Sequence, residues 1–231
     1  MSWVIVPAAG IGSRMQADVP KQYLRVLGKT ILEHTLQRLL SHPLIEGAMV
    51  ALAADDLHAA RLALAFPKPV LRCVGGADRA ASVCAALLAL PPEVSDQHWV
   101  LVHDAARPCV RHEDLDRLFA ALHDVEPVGA LLAAPVRDTL KTATAATAHI
   151  ESTVDRRRYW RAFTPQAFRR GELLSALRQA QSQHTEITDE ASAMEHLGLQ
   201  PRLIEGSDDN IKLTTPADLA LVEFLLRRQM Q

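Results

Sequence analysis

The residue types best suited to chemistry stand near the start of the chain. The apolar run Trp3-Val4-Ile5-Val6 leads into Pro7-Ala8-Ala9-Gly10-Ile11-Gly12-Ser13-Arg14-Met15, and Pro20-Lys21-Gln22-Tyr23 follows. A turn of small residues after a strand lets backbone approach a ligand closely. It also leaves main-chain N–H groups uncovered, and such groups bind phosphate oxygens well. Arg14 and Lys21 add two cations within reach of the same spot. Backbone donors with paired cations suit a nucleoside triphosphate. Two related patterns are incomplete. Gly10 and Gly12 open a G-x-G, but the third glycine of the dinucleotide fingerprint is missing. The Walker-type G-x-x-x-x-G-K-[ST] loop is absent. Taken alone, the loop also fits a tight βα turn with solvated charges.

Three further segments carry chemically useful residues. Gly75-Gly76-Ala77-Asp78-Arg79 follows an apolar run, and Ser82 lies about one turn into the next helix, an arrangement able to pocket a base edge. Val102-His103-Asp104-Ala105-Ala106-Arg107-Pro108 puts a carboxylate just past a strand, where Mg²⁺ could be held on triphosphate oxygens. His103 reads as a strand-end or core residue rather than a ligand. Asp208-Asp209-Asn210-Ile211-Lys212 places a lysine after a turn-forming cluster. Each segment alone also reads as an ordinary turn with solvated charge; together they recur where α/β sheets bind ligands, beyond the carboxyl ends of strands.

The elements that must position these residues alternate along the chain. Strands are expected at Ser2–Val6, Ala48–Ala53, Val70–Val74, Trp99–His103, Gly129–Pro135 and Pro201–Glu205. Helices are expected at Thr30–Leu40, Asp55–Phe66, Arg79–Leu90, His112–Leu122, Arg170–Gln181, Thr188–Leu197 and Pro216–Arg228. This order predicts an α/β fold: a Rossmann-like, mostly parallel sheet with helices on both faces. Residues 136–158 break the rhythm. They are polar, β-branched and basic, and predict a β-hairpin arm that packs on a second copy of the chain; a surface excursion is the alternative. The whole of 1–231 reads as one domain with this arm projecting.

Bulk properties narrow the classes. With 231 residues, 48% hydrophobic, the chain can bury a sizeable core. A net charge of −2 argues against a nucleic-acid binder. No basic leader with an apolar stretch is seen, and no run is long and apolar enough to span a bilayer, so no membrane is expected. Cys73, Cys84 and Cys109 match no zinc spacing. Cys73 and Cys84 fall in apolar runs and read as buried free thiols, and the small odd count suits a reducing cytoplasm.

As a set, these segments resemble a known family. The residues Pro7-Ala8-Ala9-Gly10-x-Gly12-x-Arg14-Met15, Pro20-Lys21-Gln22-Tyr23, Gly75-Gly76-Ala77-x-Arg79-x-x-Ser82-Val83 and Val102 to Pro108 occur in family order. So do Asp138-Thr139-Leu140-Lys141, Thr153-Val154-Asp155-Arg156, Thr164-Pro165-Gln166, Thr188-Asp189-Glu190 and Asn210-Ile211-Lys212. The chain resembles the 2-C-methyl-D-erythritol 4-phosphate cytidylyltransferases of the non-mevalonate isoprenoid pathway, from Val4 to the last helix. The resemblance implies a nucleotidyltransferase (GT-A type) fold, CTP and methylerythritol phosphate as substrates, Mg²⁺, and a cytoplasmic homodimer with crossing arms. Arg14 and Lys21 would then stabilise charge on the α-phosphate. Pro7, Ala8, Ala9, Gly10, Gly76, Ala77 and Ser82 would hold the nucleotide and read cytosine. Asp104 would lie beside ribose, metal and acceptor. Ala105, Arg107, Thr139, Arg156, Thr188 and Lys212 would serve the acceptor, with Thr139 and Arg156 supplied by the partner's arm; Arg157 and Arg158 extend the same basic run. Rival readings are a ribitol 5-phosphate cytidylyltransferase, a non-catalytic nucleotide-binding module and an NAD-dependent oxidoreductase.

Overall fold

Strand β1 (Ser2–Pro7) is buried almost throughout and alternates its side chains between two cores, as the period-2 geometry of a strand requires. Val4 and Val6 enter one core, Trp3 and Ile5 the other. The computed structural model describes residues 1–10, 19–59, 62, 64–123, 128–144 and 147–230. A short antiparallel hairpin, β2 (Arg25–Val26) with β3 (Lys29–Thr30), stands apart from the main sheet. β1 pairs in parallel with β4 (Ile45–Leu52) and with β6 (Trp99–Val102), and β5 (Val70–Val74) extends the sheet beyond β4. On the other side come β10 (Trp160–Arg169), β7 (Ala130–Pro135) and β11 (Arg202–Glu205). The seven-stranded order is β11-β7-β10-β6-β1-β4-β5.

Helices cover both faces. α1 (Ile31–Leu40) and α3 (His112–Ala121) pack with Val4 and Val6, whereas α2 (Arg79–Leu88), α4 (Arg170–Ser182) and α5 (Glu190–His196) pack with Trp3 and Ile5. α6 (Ala217–Gln229) closes a third cluster with Val26, Ile31 and Cys109. Helix starts follow local chemistry. The Thr30 hydroxyl accepts the Glu33 N–H while the Glu33 carboxylate accepts the Thr30 N–H, a capping box. Asp78 and Asp189 cap α2 and α5 likewise. Among the described residues no helix is long and apolar enough to cross a membrane.

The structure departs from the sequence reading in three places. No α-helix forms among the described residues of Asp55–Phe66. The Asp56 carboxylate accepts the N–H groups of His58 and Ala59, at 3.0 Å each, and Arg72 donates to the carbonyls of Ala59 and Leu62. These side-chain bonds replace the ones a helix would make. Strand β10 was not expected and runs antiparallel to both its neighbours. Its Pro165 falls in the register break between Ala162 and Gln166, where no ladder donor is needed. Cys73 and Cys84 are only partly buried, since β5 is an edge strand and Cys84 lies near the rim of α2; Cys109 is the fully buried thiol, pushed up to about 12 by burial.

Residues 136–158 do contain a hairpin. β8 (Leu140–Ala143) pairs antiparallel with β9 (Ile150–Val154) as a separate two-stranded sheet, followed by a 3-10 turn at Arg156–Arg158. The base is closed by the Val136 N–H on the Tyr159 carbonyl at 3.0 Å.

Buried histidines give the fold a pH dependence. The His34 Nε2–H group donates to the Val26 carbonyl at 2.7 Å, and His42 meets Asp116 at 3.0 Å and stacks on Phe119. Burial lowers both below the ordinary value of 6.5. The unfolded chain therefore binds protons first as pH falls, and stability present above about 6.5 is lost below it. The urea midpoint is expected to fall between pH 7.5 and 5.5, and less so in His42→Asn. An unchanged slope in that variant would exclude His42 as a source.

Candidate functional site

Because β1, β4, β5 and β6 run parallel, their carboxyl ends share one sheet edge, and the loops after β1, β5 and β6 converge there. A pocket of about 220 Å³ lies at this edge. Its lining brings together the expected nucleotide residues, Pro7, Ala8, Ala9 and Gly10 at the end of β1 and after it, Gly76, Ala77 and Ser82 around the start of α2, and Asp104 after β6, with the expected acceptor residue Ala105 beside it. Lys21 and Lys212 line it too, from opposite ends of the chain. Arg14 lies outside the described residues.

The paired glycines are required by packing. A Cβ on Gly75 would stand 2.8 Å from the Ala9 Cβ and 2.9 Å from the Ser82 hydroxyl, and one on Gly76 would stand 2.3 Å from the Ala81 Cβ. Any side chain there would drive the loop away from α2. Ser82 fixes this turn: its hydroxyl donates to the Asp78 carbonyl at 2.8 Å and accepts the Gly76 N–H at 3.1 Å.

Asp104 is the electrostatic centre. Lys212 Nζ lies 2.9 Å from its Oδ2, Arg107 Nε 3.2 Å from the same oxygen, and Arg79 Nε 3.4 Å from Oδ1. Burial alone would raise this carboxyl. The Arg79 guanidinium, then Lys212 and Arg107, outweigh burial and hold it well below the usual carboxylate range, so it is ionised at any physiological pH. Its backbone is fixed as well: the Asp104 N–H donates to the Thr164 hydroxyl at 3.0 Å, and Asn210 donates to the Thr164 carbonyl at 2.7 Å.

The neighbouring His103 is no ligand and no base. It is fully buried, its Nε2–H donates to the Arg107 carbonyl at 2.9 Å, and its Nδ1 accepts from Thr164. Burial pushes it down to about 4, so it is neutral. This agrees with its reading as a core histidine.

The expected acceptor residues divide. Lys212 and Ala105 are at the pocket. Arg107 sits behind Asp104, with Nη1 on the Asn210 carbonyl at 2.6 Å. Thr139 and Arg156 are exposed on the arm, where Arg156 donates to the Arg137 carbonyl, and Thr188 is exposed before α5. None of these last three lines the pocket of its own chain.

Three residues of the site had no role assigned from sequence. The Gln22 amide donates to the carbonyls of Ala8, at 2.8 Å, and Gly10, at 3.1 Å. Arg79 lines the pocket and forks onto Glu190, at 2.5 and 3.0 Å. Glu190 is 1% exposed at the first turn of α5. Their positions inside the Pro20 to Tyr23, Gly75 to Ser82 and Thr188 to Glu190 segments were a signal. Which partner each would meet was not readable along the chain.

Removing Glu190 leaves the Arg79 guanidinium with only the Asp104 carboxylate, at 3.4 Å and already shared with Lys212 and Arg107, and a buried charge that loses its close partner is costly. Glu190→Ala is expected to lower folding stability by about 3 kcal/mol, measured by chemical denaturation. A loss below about 1 kcal/mol, typical of exposed pairs, would show the pair to be dispensable.

A profile of the family described as 2-C-methyl-D-erythritol 4-phosphate cytidylyltransferase (IspD) matches residues 2–228. A protein of that name from Stenotrophomonas maltophilia (strain R551-3) is 53% identical over 227 residues, 98% of this chain and 97% of its own length. One from Vibrio vulnificus (strain YJ016) is 52% identical over 97% of this chain and 94% of its own. The crystal structure of the Francisella tularensis 2-C-methyl-D-erythritol 4-phosphate cytidylyltransferase superposes with a TM-score of 0.82 at 36% identity, covering 97% of this chain and 99% of that one. That of the Thermus thermophilus protein gives 0.76 at 32% identity, over 97% and 98%. On its sequence and its fold alike, the chain belongs to the 2-C-methyl-D-erythritol 4-phosphate cytidylyltransferase family.

Proposed function

We propose that the chain transfers the cytidylyl group of CTP to 2-C-methyl-D-erythritol 4-phosphate. The products are 4-diphosphocytidyl-2-C-methyl-D-erythritol and pyrophosphate, a step of non-mevalonate isoprenoid precursor synthesis in the cytoplasm. Family membership supports the reaction. The observation that carries it is one pocket lined by small-residue backbone and by Lys21, Arg79 and Lys212, the last two held on the Asp104 carboxylate.

The chemistry asks for that combination. The acceptor phosphate is already anionic at neutral pH and needs no general base, which agrees with the neutral, hydrogen-bonded His103. The obstacle is repulsion between two anions approaching for in-line attack on the α-phosphate, with pyrophosphate leaving. Cations placed in advance remove it. In this reading Lys21, with Arg14, neutralises charge developing on the α-phosphate. The backbone from Pro7 to Gly10 holds phosphates, Gly76, Ala77 and Ser82 enclose the base, and Lys212 receives the acceptor with Ala105, Arg107 serving it from behind Asp104 and Thr188 from outside the pocket lining.

A divalent ion fits the donor set. Mg²⁺ takes one or two carboxylates and otherwise phosphate oxygens and water. Asp104 is ionised, and its two oxygens offer about four lone-pair positions, of which the three cation contacts leave one over. Asp104 would hold the ion on the CTP oxygens, where it would supply charge neutralisation to the triphosphate.

Thr139 and Arg156 are proposed to serve the partner's pocket in a homodimer. Their exposure on a hairpin outside their own pocket supports this, since a two-stranded ribbon buries too little to be stable alone.

Pyrophosphate release from CTP and Mg²⁺ is expected to depend on methylerythritol phosphate; release preferring ribitol 5-phosphate would move the function to that acceptor. Lys21→Ala should lower turnover about 10²–10³-fold, as loss of one preorganised donor does. Near-normal turnover would remove Lys21 from the chemistry. Arg156→Ala should raise the acceptor KM and spare CTP binding. Mixed with Lys21→Ala chains it should recover activity, because one pocket of each mixed dimer would be intact. Absence of recovery would place Arg156 in its own subunit's site.

A further inference from the structure

Gln22 stands beside Lys21 in the 3-10 turn Lys21–Tyr23; where Lys21 Nζ reaches the Leu213 carbonyl at 3.1 Å, the Gln22 side chain reaches the start of the first loop. It is 4% exposed. One amide nitrogen carries two hydrogens, and here both are used: one on the Ala8 carbonyl at 2.8 Å, one on the Gly10 carbonyl at 3.1 Å. A peptide plane holds C=O and the following N–H on opposite sides. With the Ala8 carbonyl drawn to Gln22, the Ala9 N–H must point away from it. The Ala8 N–H, in contrast, is already bound to the Ala51 carbonyl at 2.8 Å as the last rung beyond β1. Among the described residues the Ala9 N–H has no backbone partner. The turn that carries Gln22 is itself anchored, because the Tyr23 phenol is buried and donates to Asp56 at 2.5 Å.

We infer that Gln22 is a positioning residue for triphosphate recognition. It turns two carbonyl oxygens away from an incoming polyanion and fixes Ala8–Gly10 with the Ala9 N–H available. This rests on the reading that the pocket takes CTP and that the loop after β1 holds its phosphates. Carbonyls left to rotate would present partial negative charge where phosphate must sit, and the cost would fall on binding.

The consequence is selective for the phosphates. Gln22→Met keeps length and apolar bulk without donors, and Gln22→Glu sets an anionic acceptor against two carbonyls. Both are expected to weaken CTP binding by at least about tenfold, the effect of losing hydrogen bonds to buried groups, while the affinity for cytidine, which has no phosphates, stays within about twofold. Titration calorimetry with CTP and with cytidine reads both. Wild-type CTP affinity in Gln22→Met would overturn the role. So would an equal loss for cytidine, which would mean that the pocket had merely collapsed. If Gln22→Glu does not fold, the Met variant decides alone. A core variant of matching melting temperature, such as Leu118→Ala, should bind CTP normally; a similar loss there would assign the effect to general destabilisation and overturn the role. Failure of the wild-type chain to bind CTP would instead overturn the underlying assignment, and is told apart because it needs no variant.

Discussion

Asp104 neutralises three cations drawn from separate stretches of chain, and the pocket exists because it does so. Arg79 arrives with the start of α2, Arg107 from the turn after β6, and Lys212 from the loop before α6. Three like charges this close would repel one another and be solvated apart. A common carboxylate in a mostly buried position draws them together, and Glu190 takes up the remaining valence of Arg79 from below. The sheet contributes by fixing the backbone of Asp104 through Thr164 of β10, which Asn210 holds in turn. Parallel strands, helix starts and the C-terminal loop are thus tied to one oxygen pair. The arrangement keeps positive charge available without letting it spread, which a site for two phosphorylated substrates needs.

Much of this was legible because the site is assembled from strand ends. Glycine pairs, a small-residue loop and a carboxylate after an apolar run are local signals, and each is placed by the element it follows. The β–α alternation read from apolar runs located β1, β4, β5, β6, β7 and β11. What escaped was decided by partners distant in sequence. β10 carries a proline and lacks strict alternation, so only its two flanking strands identify it. The segment from Asp55 has a helical apolar spacing, but Asp56 and Arg72 bind its backbone first. Gln22 and Glu190 look like ordinary polar residues until burial and partners are known.

The arm shows the same rule from the opposite side. Its strands were readable from β-branched and threonine-rich composition, and β8 and β9 indeed pair, with Thr142 on Ser152 at 2.8 Å and Lys141 on Thr153 at 2.6 Å. Those contacts are solvent-exposed, and Ile150, Tyr159 and Trp160 are exposed as well. Ile150 stands on β9, while Tyr159 and Trp160 stand at the foot of the hairpin, where β10 begins.

The strand order also bears on how the chain acquires its shape as it is made. β1, β4, β5 and β6 are contiguous in the sheet and all emerge within the first 102 residues. The outer edge of β6 has to wait for β10, which ends at Arg169, and β7 is made before the strand that links it to the rest. A nascent chain therefore has all four strands of the β6-β1-β4-β5 block before β10 exists, and until then β6 is an edge as β5 is. Because β10 pairs on both sides, it covers the β6 edge, joins that block to β7 and β11, and carries the Thr164 that meets Asp104.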